Sequence, residues 1–212
     1  MKVNEIFYSI EGEGIRAGMP CVFIRLFGCN LNCSYCDTRY SCVGNDYKEM
    51  TVEDICIAVA RYQCPNITVT GGEPLIHEDI YKLLRTLSDN DYYVNVETNG
   101  TKEPFDDLNN VFYTIDFKTN ISGMSDKMNI RAFKALGCTD VIKFVVGSIE
   151  DIEQSIKFYY ENGVKAVPYI SPVFGKIEPK MIAEYMKRRG LNDWRLQLQL
   201  HKYIWEPQKR GV

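Results

Sequence analysis

Three cysteines, Cys29, Cys33 and Cys36, lie within eight residues of one another. Thiolates this close in sequence can bind one metal centre, and they suit zinc, copper(I) or the iron of iron-sulfur clusters. A closed structural zinc site has four protein ligands, whereas three ligands leave one position free for chemistry. The two histidines, His77 and His201, are far away in the sequence. The motif therefore indicates either a reactive cluster with one open iron or a zinc site that a distant histidine completes.

The cysteine spacing resembles that of the radical S-adenosylmethionine (SAM) superfamily, in which three cysteines hold a 4Fe-4S cluster. Tyr35, just before the last cysteine, agrees with the aromatic residue usual in that superfamily. A second motif, Gly71-Gly72-Glu73-Pro74, begins 35 residues after Cys36, where these enzymes carry the glycine-rich loop that receives the methionine amino group. Glycine pairs after strands are common turns, so this motif is weak alone. Together the two motifs are specific, and the resemblance implies that Gly71, Gly72 and Glu73 bind SAM.

Composition and net charge argue against several classes of function. With 212 residues, 45% of them hydrophobic and 25% charged, the chain is expected to form a single domain, residues 1–212. A net charge of -3 argues against binding to nucleic acid. No segment approaches the ~18 uninterrupted apolar residues of a membrane helix, and the first residues lack the apolar core of a signal peptide. We therefore expect a cytoplasmic protein without membrane association, in which five further cysteines are core residues or plain thiols: Cys21, Cys42, Cys56, Cys64 and Cys138.

Apolar runs alternate with amphipathic segments along the chain. Strands are predicted at 3–9, 20–27, 67–70, 92–96, 111–115, 141–146, 164–167 and 194–201. Helices are predicted at 51–62, with Thr51 as N-cap, at 76–87, 128–136 and 150–161, and after Pro179. Repeated strand-helix-strand units imply a mostly parallel sheet with right-handed crossovers. About six such strands cannot close an eight-stranded barrel, so the predicted fold is α/β, a partial, open (β/α)6-type barrel with ligands at the carboxyl ends of its strands.

Further motifs make the chain similar, over nearly its whole length, to the 7-carboxy-7-deazaguanine synthase family of radical SAM enzymes. These motifs lie at 7–14, 23–30, 33–38, 70–74, 97–101, 171–175 and 199–202. The resemblance implies ring contraction of 6-carboxy-5,6,7,8-tetrahydropterin to 7-carboxy-7-deazaguanine with loss of ammonia, in queuosine-precursor biosynthesis. A 5'-deoxyadenosyl radical would take hydrogen from the pterin and SAM would be regenerated. The implied partners are the pterin, an electron donor such as flavodoxin or ferredoxin, and a second copy of the chain in a homodimer.

Arg25 stands out because it interrupts an apolar strand, where an unpaired charge is costly. It must be paired, await an anion, or reach solvent from the strand edge. The family resemblance implies that Arg25 binds the substrate carboxylate, and that Glu11 and Glu13 accept hydrogen bonds from the pterin amino and ring N-H groups. An acidic surface turn is the alternative for the two glutamates. The resemblance adds three more substrate contacts: Thr70, Gln199 and His201. Gln199 and His201 fall on the polar face of the predicted strand 194–201.

Other residues match family positions that hold SAM or a magnesium ion. Thr38 resembles the Mg2+ contact, although a threonine there can also be an ordinary loop cap. The SAM ribose and methionine are expected to contact Glu97, Asn99, Lys118 and Ser122, with 116–118 read as a loop after strand 111–115. Two departures from the family are visible: Glu11 stands where glutamine is frequent, and Thr119-Asn120-Ile121-Ser122 replaces a proline and serine after Lys118.

Two other functions share part of this pattern. A glycyl-radical enzyme activase has the same cysteine spacing and a similar size, but it acts on a large protein and gives Arg25, Glu13 and His201 no joint role. A zinc-binding interaction domain without enzymatic activity would use the cysteines alone. A brown colour in anaerobically purified protein indicates an iron-sulfur cluster, whereas a zinc protein is colourless.

Overall fold

The computed structural model describes all 212 residues and contains one nine-stranded sheet. The strands are β1 (Lys2–Ile10), β2 (Pro20–Leu26), β3 (Lys48–Glu49), β4 (Asn66–Gly71), β5 (Tyr93–Thr98), β6 (Val111–Lys118), β7 (Val141–Val146), β8 (Val167–Pro172) and β9 (Arg195–Leu196). Their order is β3-β1-β2-β4-β5-β6-β7-β8-β9. All neighbours from β2 to β9 are parallel, and β1 is antiparallel to β2 and β3. The predicted open, mostly parallel α/β barrel is confirmed.

Helices connect most of the parallel strands. They are α1 (Val52–Ala60), α2 (Ile80–Asp89), α3 (Ile130–Lys134), α4 (Ile149–Asn162), α5 (Pro179–Arg189) and α6 (His201–Ile204). Thr51 caps α1 as predicted: its hydroxyl accepts from the Asp54 backbone N-H, and the Asp54 carboxylate accepts from the Thr51 N-H. Pro179 is the first residue of α5, where its missing N-H costs nothing. None of the helices is long and apolar enough to cross a bilayer.

The two faces of the sheet differ sharply in polarity. Successive residues of a strand point to opposite faces. On β6, Tyr113, Ile115 and Phe117 belong to the hydrophobic core, whereas Thr114, Asp116 and Lys118 face an internal cavity. The same division on β2 and β7 turns Arg25 and Lys143 inward, while their apolar neighbours pack into the core. Polar side chains thus lie on the cavity side of the sheet, and apolar side chains on its other side form the hydrophobic core.

Three element predictions need correction at their ends. Residues 116–118 are not a loop, because β6 continues to Lys118 and stays in register with β5 and β7. The helix predicted from residue 76 begins at Ile80, after a separate 3-10 turn at Pro74–Ile76. The strand predicted at 164–167 runs instead over Val167–Pro172, since Val164 and Ala166 pack into the core before pairing with β7 begins.

The predicted closing strand 194–201 is wrong for most of its length. Only Arg195–Leu196 pairs with β8, and His201 begins α6. The expected alternation fails because Leu196 is exposed and Gln197 is buried. The glutamine side chains bind the loop after β1 instead of continuing a sheet face: Gln197 Nε2 donates to the Gly14 carbonyl at 3.4 Å and Gln199 Nε2 to the Glu13 carboxylate at 2.8 Å.

The loop after β1 and the segment after β9 contact each other, although the sheet stays open. Arg16 ties the loop to the amino ends of β4 and β5 by donating to the carbonyls of Ile67 at 2.9 Å and Tyr93 at 2.7 Å. The two segments meet where the Leu200 N-H donates to the Gly12 carbonyl at 3.3 Å. A Cβ at Gly12 would lie 2.8 Å from the His201 ring, so this close approach requires glycine. This contact brings residues from both ends of the chain into one site.

Candidate active site

A cavity of about 250 Å³ lies on the polar face of the sheet. It is lined by all but two of the residues expected to bind cofactors or substrate. Those that line it are Glu11, Glu13, Arg25, Cys29, Cys33, Cys36, Thr38, Thr70, Gly71, Gly72, Glu97, Asn99, Lys118, Gln199 and His201. The side chains of Glu73 and Ser122 lie outside it. Folding therefore brings the cysteines, the glycine loop and the predicted pterin contacts to a single place.

The three cysteines are free, half-buried thiols on one wall of the cavity. The neighbouring Cys42 thiol lowers the pKa of Cys29 and Cys36 to about 6, whereas burial raises the pKa of Cys33. No three His, Cys, Asp or Glu side chains are close enough together to hold a single ion. Three thiols on one wall suit a 4Fe-4S cluster, in which each cysteine binds a different iron and the fourth iron has no cysteine ligand.

The loop containing these cysteines is held by backbone contacts on both sides. The Gly28 N-H donates to the Ser41 carbonyl at 2.8 Å. On the other side, the Ser34 N-H donates to the Ser122 carbonyl at 3.0 Å and the Ser34 hydroxyl to the Ile121 carbonyl at 2.6 Å. The Ser122 hydroxyl donates to the Thr119 carbonyl at 2.7 Å. Ser122 therefore supports the cysteine loop, and its side chain is not placed to contact a ligand in the cavity.

The glycine pair packs directly against the cysteine loop. A Cβ at Gly71 would lie 2.1 Å from the Leu26 carbonyl oxygen, and a Cβ at Gly72 would lie 2.1 Å from that of Gly28. The buried Glu73 carboxylate accepts from the N-H groups of Leu75 at 2.9 Å and Asn99 at 2.6 Å. It also accepts from the Thr98 hydroxyl at 2.6 Å. The Glu73 side chain thus braces the loop ends after β4 and β5, and the contact of this residue with SAM stays a prediction.

Arg25 is paired and faces the cavity, so the strand-edge interpretation is wrong. Its Nε atom lies 2.7 Å from a Glu5 carboxylate oxygen, and its side chain is 14% exposed. The rings of Phe7 and Tyr40 lie 5.6 and 5.9 Å from the guanidinium carbon. No hydrogen bond within the protein uses its terminal nitrogens. Those two donors remain free for an anion in the cavity.

Glu11 and Glu13 are buried, which excludes the acidic surface turn, and their environments differ. Glu11 has no cationic partner: it accepts from the Glu13 N-H at 3.2 Å and lies 2.5 Å from the Thr68 hydroxyl. Burial and the nearby Glu97 carboxylate raise the pKa of Glu11 to about 8. Glu13 instead contacts the Lys143 ammonium group and accepts from Gln199. Burial thus favours the protonated form of Glu11 at neutral pH, whereas Glu13 has a cationic partner in Lys143.

Asp116 and Lys143 were not predicted from the sequence. The Asp116 Oδ2 atom lies 3.1 Å from Lys118 Nζ and 3.3 Å from Lys143 Nζ. Lys143 interrupts an apolar strand just as Arg25 does, and that signal could have identified it. Asp116 was hidden because 116–118 was interpreted as a loop. The other Asp116 oxygen and the Tyr35 hydroxyl are buried without a hydrogen-bond partner beside the cavity, so they fit a polar ligand such as SAM.

The remaining predicted contacts lie between these groups. The Thr70 hydroxyl donates to the Glu97 carboxylate at 2.8 Å. Asn99 Nδ2 donates to Asn30 Oδ1 at 2.9 Å and lies 3.8 Å from the Cys29 sulfur. Burial lowers the pKa of His201, which favours the neutral imidazole. These residues connect the cysteine wall with the buried glutamates.

Comparisons with known proteins identify the family of this chain. The model of the radical SAM superfamily matches residues 23–188. The chain is 44% identical to the 7-carboxy-7-deazaguanine synthase of Clostridium acetobutylicum, with 100% of this chain and 99% of the relative aligned. It is 43% identical to that of Methanospirillum hungatei over 98% of this chain and 86% of the relative. The crystal structure of QueE from Escherichia coli superposes with a TM-score of 0.77 at 26% identity, covering 93% of each chain. The chain therefore belongs to the radical SAM superfamily and, within it, to the 7-carboxy-7-deazaguanine synthases, which are lyases.

Proposed function

We propose that this enzyme converts 6-carboxy-5,6,7,8-tetrahydropterin to 7-carboxy-7-deazaguanine with loss of ammonia, using SAM catalytically. The observation that carries the proposal is that three cysteine thiols share one cavity with a free guanidinium fork and a pair of buried glutamates. Membership of the superfamily implies a 4Fe-4S cluster and SAM. A cavity of about 250 Å³ suits a small substrate, which argues against a glycyl-radical activase acting on a folded protein.

The substrate's polar groups have matching partners in the cavity. The free Nη atoms of Arg25 can bind the pterin carboxylate through two parallel hydrogen bonds. The Glu13 carboxylate accepts from ring N-H and amino groups, and neutral Glu11 can donate a proton to a ring acceptor. Thr70, Gln199 and His201 complete the substrate contacts. Together these groups orient the ring and exclude water from it.

Cys29, Cys33 and Cys36 would hold the cluster, and the open iron beside them would receive SAM. When bound, the cluster and SAM supply the radical chemistry that removes hydrogen from the pterin ring. We propose that the methionine and ribose of SAM are bound by the backbone at Gly71 and Gly72 and by three side chains: Glu97, Asn99 and Lys118. The protein's own contribution is then to hold the two ligands next to each other in one cavity.

Anaerobic reconstitution tests this function. Cluster-loaded protein is incubated with SAM, a reductant and 6-carboxytetrahydropterin, and the products are identified by mass spectrometry. We expect 7-carboxy-7-deazaguanine to form with more than one turnover per SAM. If the pterin is not consumed although the cluster is intact and SAM is bound, the substrate assignment is wrong and only the superfamily assignment stands.

Glu11 predicts a pH dependence of stability. Its pKa is about 8 in the folded protein and has an ordinary value of 4.5. The folded protein therefore holds this proton more tightly than the unfolded chain. We expect the contribution of Glu11 to the free energy of unfolding to be fully present below pH 4.5 and to be lost as pH rises towards 8, by at most ~1.4 kcal/mol per pH unit. Denaturant unfolding of the wild type and of Glu11→Gln measures this contribution.

In Glu11→Gln this part of the pH dependence should vanish. Glu161→Gln, a substitution on the exposed face of α4, serves as the matched control and should keep it. A wild-type and a Glu11→Gln protein with the same slope between pH 5 and 8 would show that Glu11 is ionised at neutral pH.

We propose that Thr38 supplies one ligand to Mg2+, with the others coming from substrate and water. Its hydroxyl lies 3.9 Å from the Cys36 sulfur at the end of the cysteine loop. Chelation of Mg2+ should lower the rate of product formation, and added Mg2+ should restore it. Thr38→Ala should need about tenfold more Mg2+ for half-maximal rate, whereas Thr38→Ser should resemble the wild type. Equal Mg2+ dependence in all three proteins would rule out this contact.

We also propose that residues 1–212 form one radical SAM domain, that the chain works as a cytoplasmic homodimer, and that flavodoxin or ferredoxin supplies the electron. One cluster of 34 buried hydrophobic residues, drawn from both ends of the sheet, supports the single domain. Sedimentation velocity measures the oligomeric state. Reconstitution with each donor in place of a chemical reductant tests the electron source.

A further inference from the structure

Lys143 is a charged residue in the middle of the apolar strand β7. Its side chain is 9% exposed and faces the cavity. Its ammonium group contacts the Glu13 carboxylate and lies 3.3 Å from Asp116 Oδ2. A buried ammonium group is tolerated only with such partners, because desolvation of an unpaired charge is costly.

The two partners of Lys143 come from different walls of the cavity. Glu13 belongs to the loop after β1, whereas Asp116 is its register neighbour on β6. Asp116 also lies 3.1 Å from Lys118, whose ammonium group is 5.9 Å from the Tyr35 ring in the cysteine loop. A chain of four alternating charges, Glu13, Lys143, Asp116 and Lys118, thus joins the loop that carries the glutamates to the wall that carries the cysteines.

Lys143 also restricts the orientation of Glu13. One Glu13 oxygen accepts from Gln199 Nε2 at 2.8 Å and the other contacts Lys143. A carboxylate has about four acceptor positions, so about two remain for a ligand. The neighbouring Glu11 has no cation and lacks this restraint. Glu13 is therefore the only one of the two glutamates that a counter-ion holds in place.

We propose that Lys143 is a positioning residue for substrate recognition, whose ammonium group holds the Glu13 carboxylate in the orientation that accepts from the pterin N-H and amino groups. This inference rests on the proposed function, since it takes Glu13 as a substrate contact. Lys143 acts through Glu13 and does not touch the pterin. Its removal should therefore matter only while Glu13 is present.

A double-mutant cycle tests this dependence. The probe is 6-carboxypterin, the oxidised and fluorescent form of the substrate, titrated into cluster-loaded protein. Lys143→Met should weaken its binding by about tenfold or more in the wild-type background. In the Glu13→Gln background the same substitution should change binding by less than about threefold. The matched control is Lys157→Met, at a lysine that is 73% exposed on α4 and should have no effect.

Two further measurements separate positioning from a general structural role. Lys143→Met should change the affinity for SAM alone by less than about threefold, because Asp116, the other partner of Lys143, keeps its contact with Lys118. It should also raise the amount of 5'-deoxyadenosine released per product, because a misplaced pterin fails to react. Lys143→Gln keeps a hydrogen-bond donor for Glu13 and should therefore bind the pterin better than Lys143→Met does. If Lys143→Met does not fold, Lys143→Gln takes its place in the double-mutant cycle.

Equal losses in the wild-type and Glu13→Gln backgrounds would overturn the role of Lys143, as would unchanged pterin binding in Lys143→Met. Either result leaves the proposed function intact, provided that the wild type binds 6-carboxypterin and makes 7-carboxy-7-deazaguanine. A wild type that does neither would overturn the proposed function and this inference together.

Discussion

Replacement of Cys33 by alanine should abolish product formation. The substitution removes one of three thiols on the cysteine wall, and two thiolates hold a four-iron cluster poorly. We expect reconstituted protein to bind far fewer than the ~4 irons per chain of a complete cluster and to lose its brown absorbance. Iron analysis and anaerobic product assays measure both effects.

Cys138→Ala is the matched control because Cys138 is an exposed free thiol that does not line the cavity. It should keep its iron content and its rate of product formation. A Cys33→Ala protein that binds a complete cluster and turns over normally would contradict the assignment of the three cysteines.

Replacement of Arg25 by alanine should chiefly weaken substrate binding. The terminal nitrogens of Arg25 are the free donors of a buried guanidinium, and a charge-assisted hydrogen bond contributes about 1.5–3 kcal/mol. Loss of this interaction should raise the KM for the pterin by roughly ten- to a hundredfold, while the affinity for SAM should change little. Steady-state kinetics and SAM binding measurements separate the two effects.

Arg25→Lys provides a second test of the same contact. A lysine keeps the charge but loses the planar pair of donors, so we expect an intermediate KM. Arg131→Ala, at an exposed position of α3, is the control for loss of an arginine. Wild-type affinity for the pterin in Arg25→Ala would exclude Arg25 as the carboxylate contact.

Much of the fold was predictable because local patterns and global structure agree. Strands β2 and β7 and helix α4 follow from their apolar residues, α1 from its Thr51 cap, and α5 from a proline in its first turn. Each of these signals acts over a few residues. The end of β6 was missed because Asp116 and Lys118 resemble a polar loop in sequence. They are strand residues whose polar side chains face a cavity, and only the pairing with β5 and β7 reveals this.

The C-terminal segment shows the opposite error. Residues 194–201 have a regular alternation of apolar and polar residues, which favours a strand. In the structure Gln197 and Gln199 bind the loop after β1, and the chain turns into α6 at His201. Tertiary hydrogen bonds to a segment about 185 residues earlier override the local pattern here.

The sequence by itself determined the three cysteines, the glycine-rich loop and the parallel α/β architecture. Its family resemblance supplied candidate site residues, and all but two of them line the cavity. These features depend on residue types, spacing and periodicity, which act over short distances along the chain. Only the tertiary structure decided that Glu73 braces the loop ends after β4 and β5, that Ser122 supports the cysteine loop, and that Lys143 and Asp116 connect the two walls. It also decided that burial favours the protonated form of Glu11. Charge state and side-chain partnership depend on burial and on neighbours from distant segments, and a linear pattern contains neither.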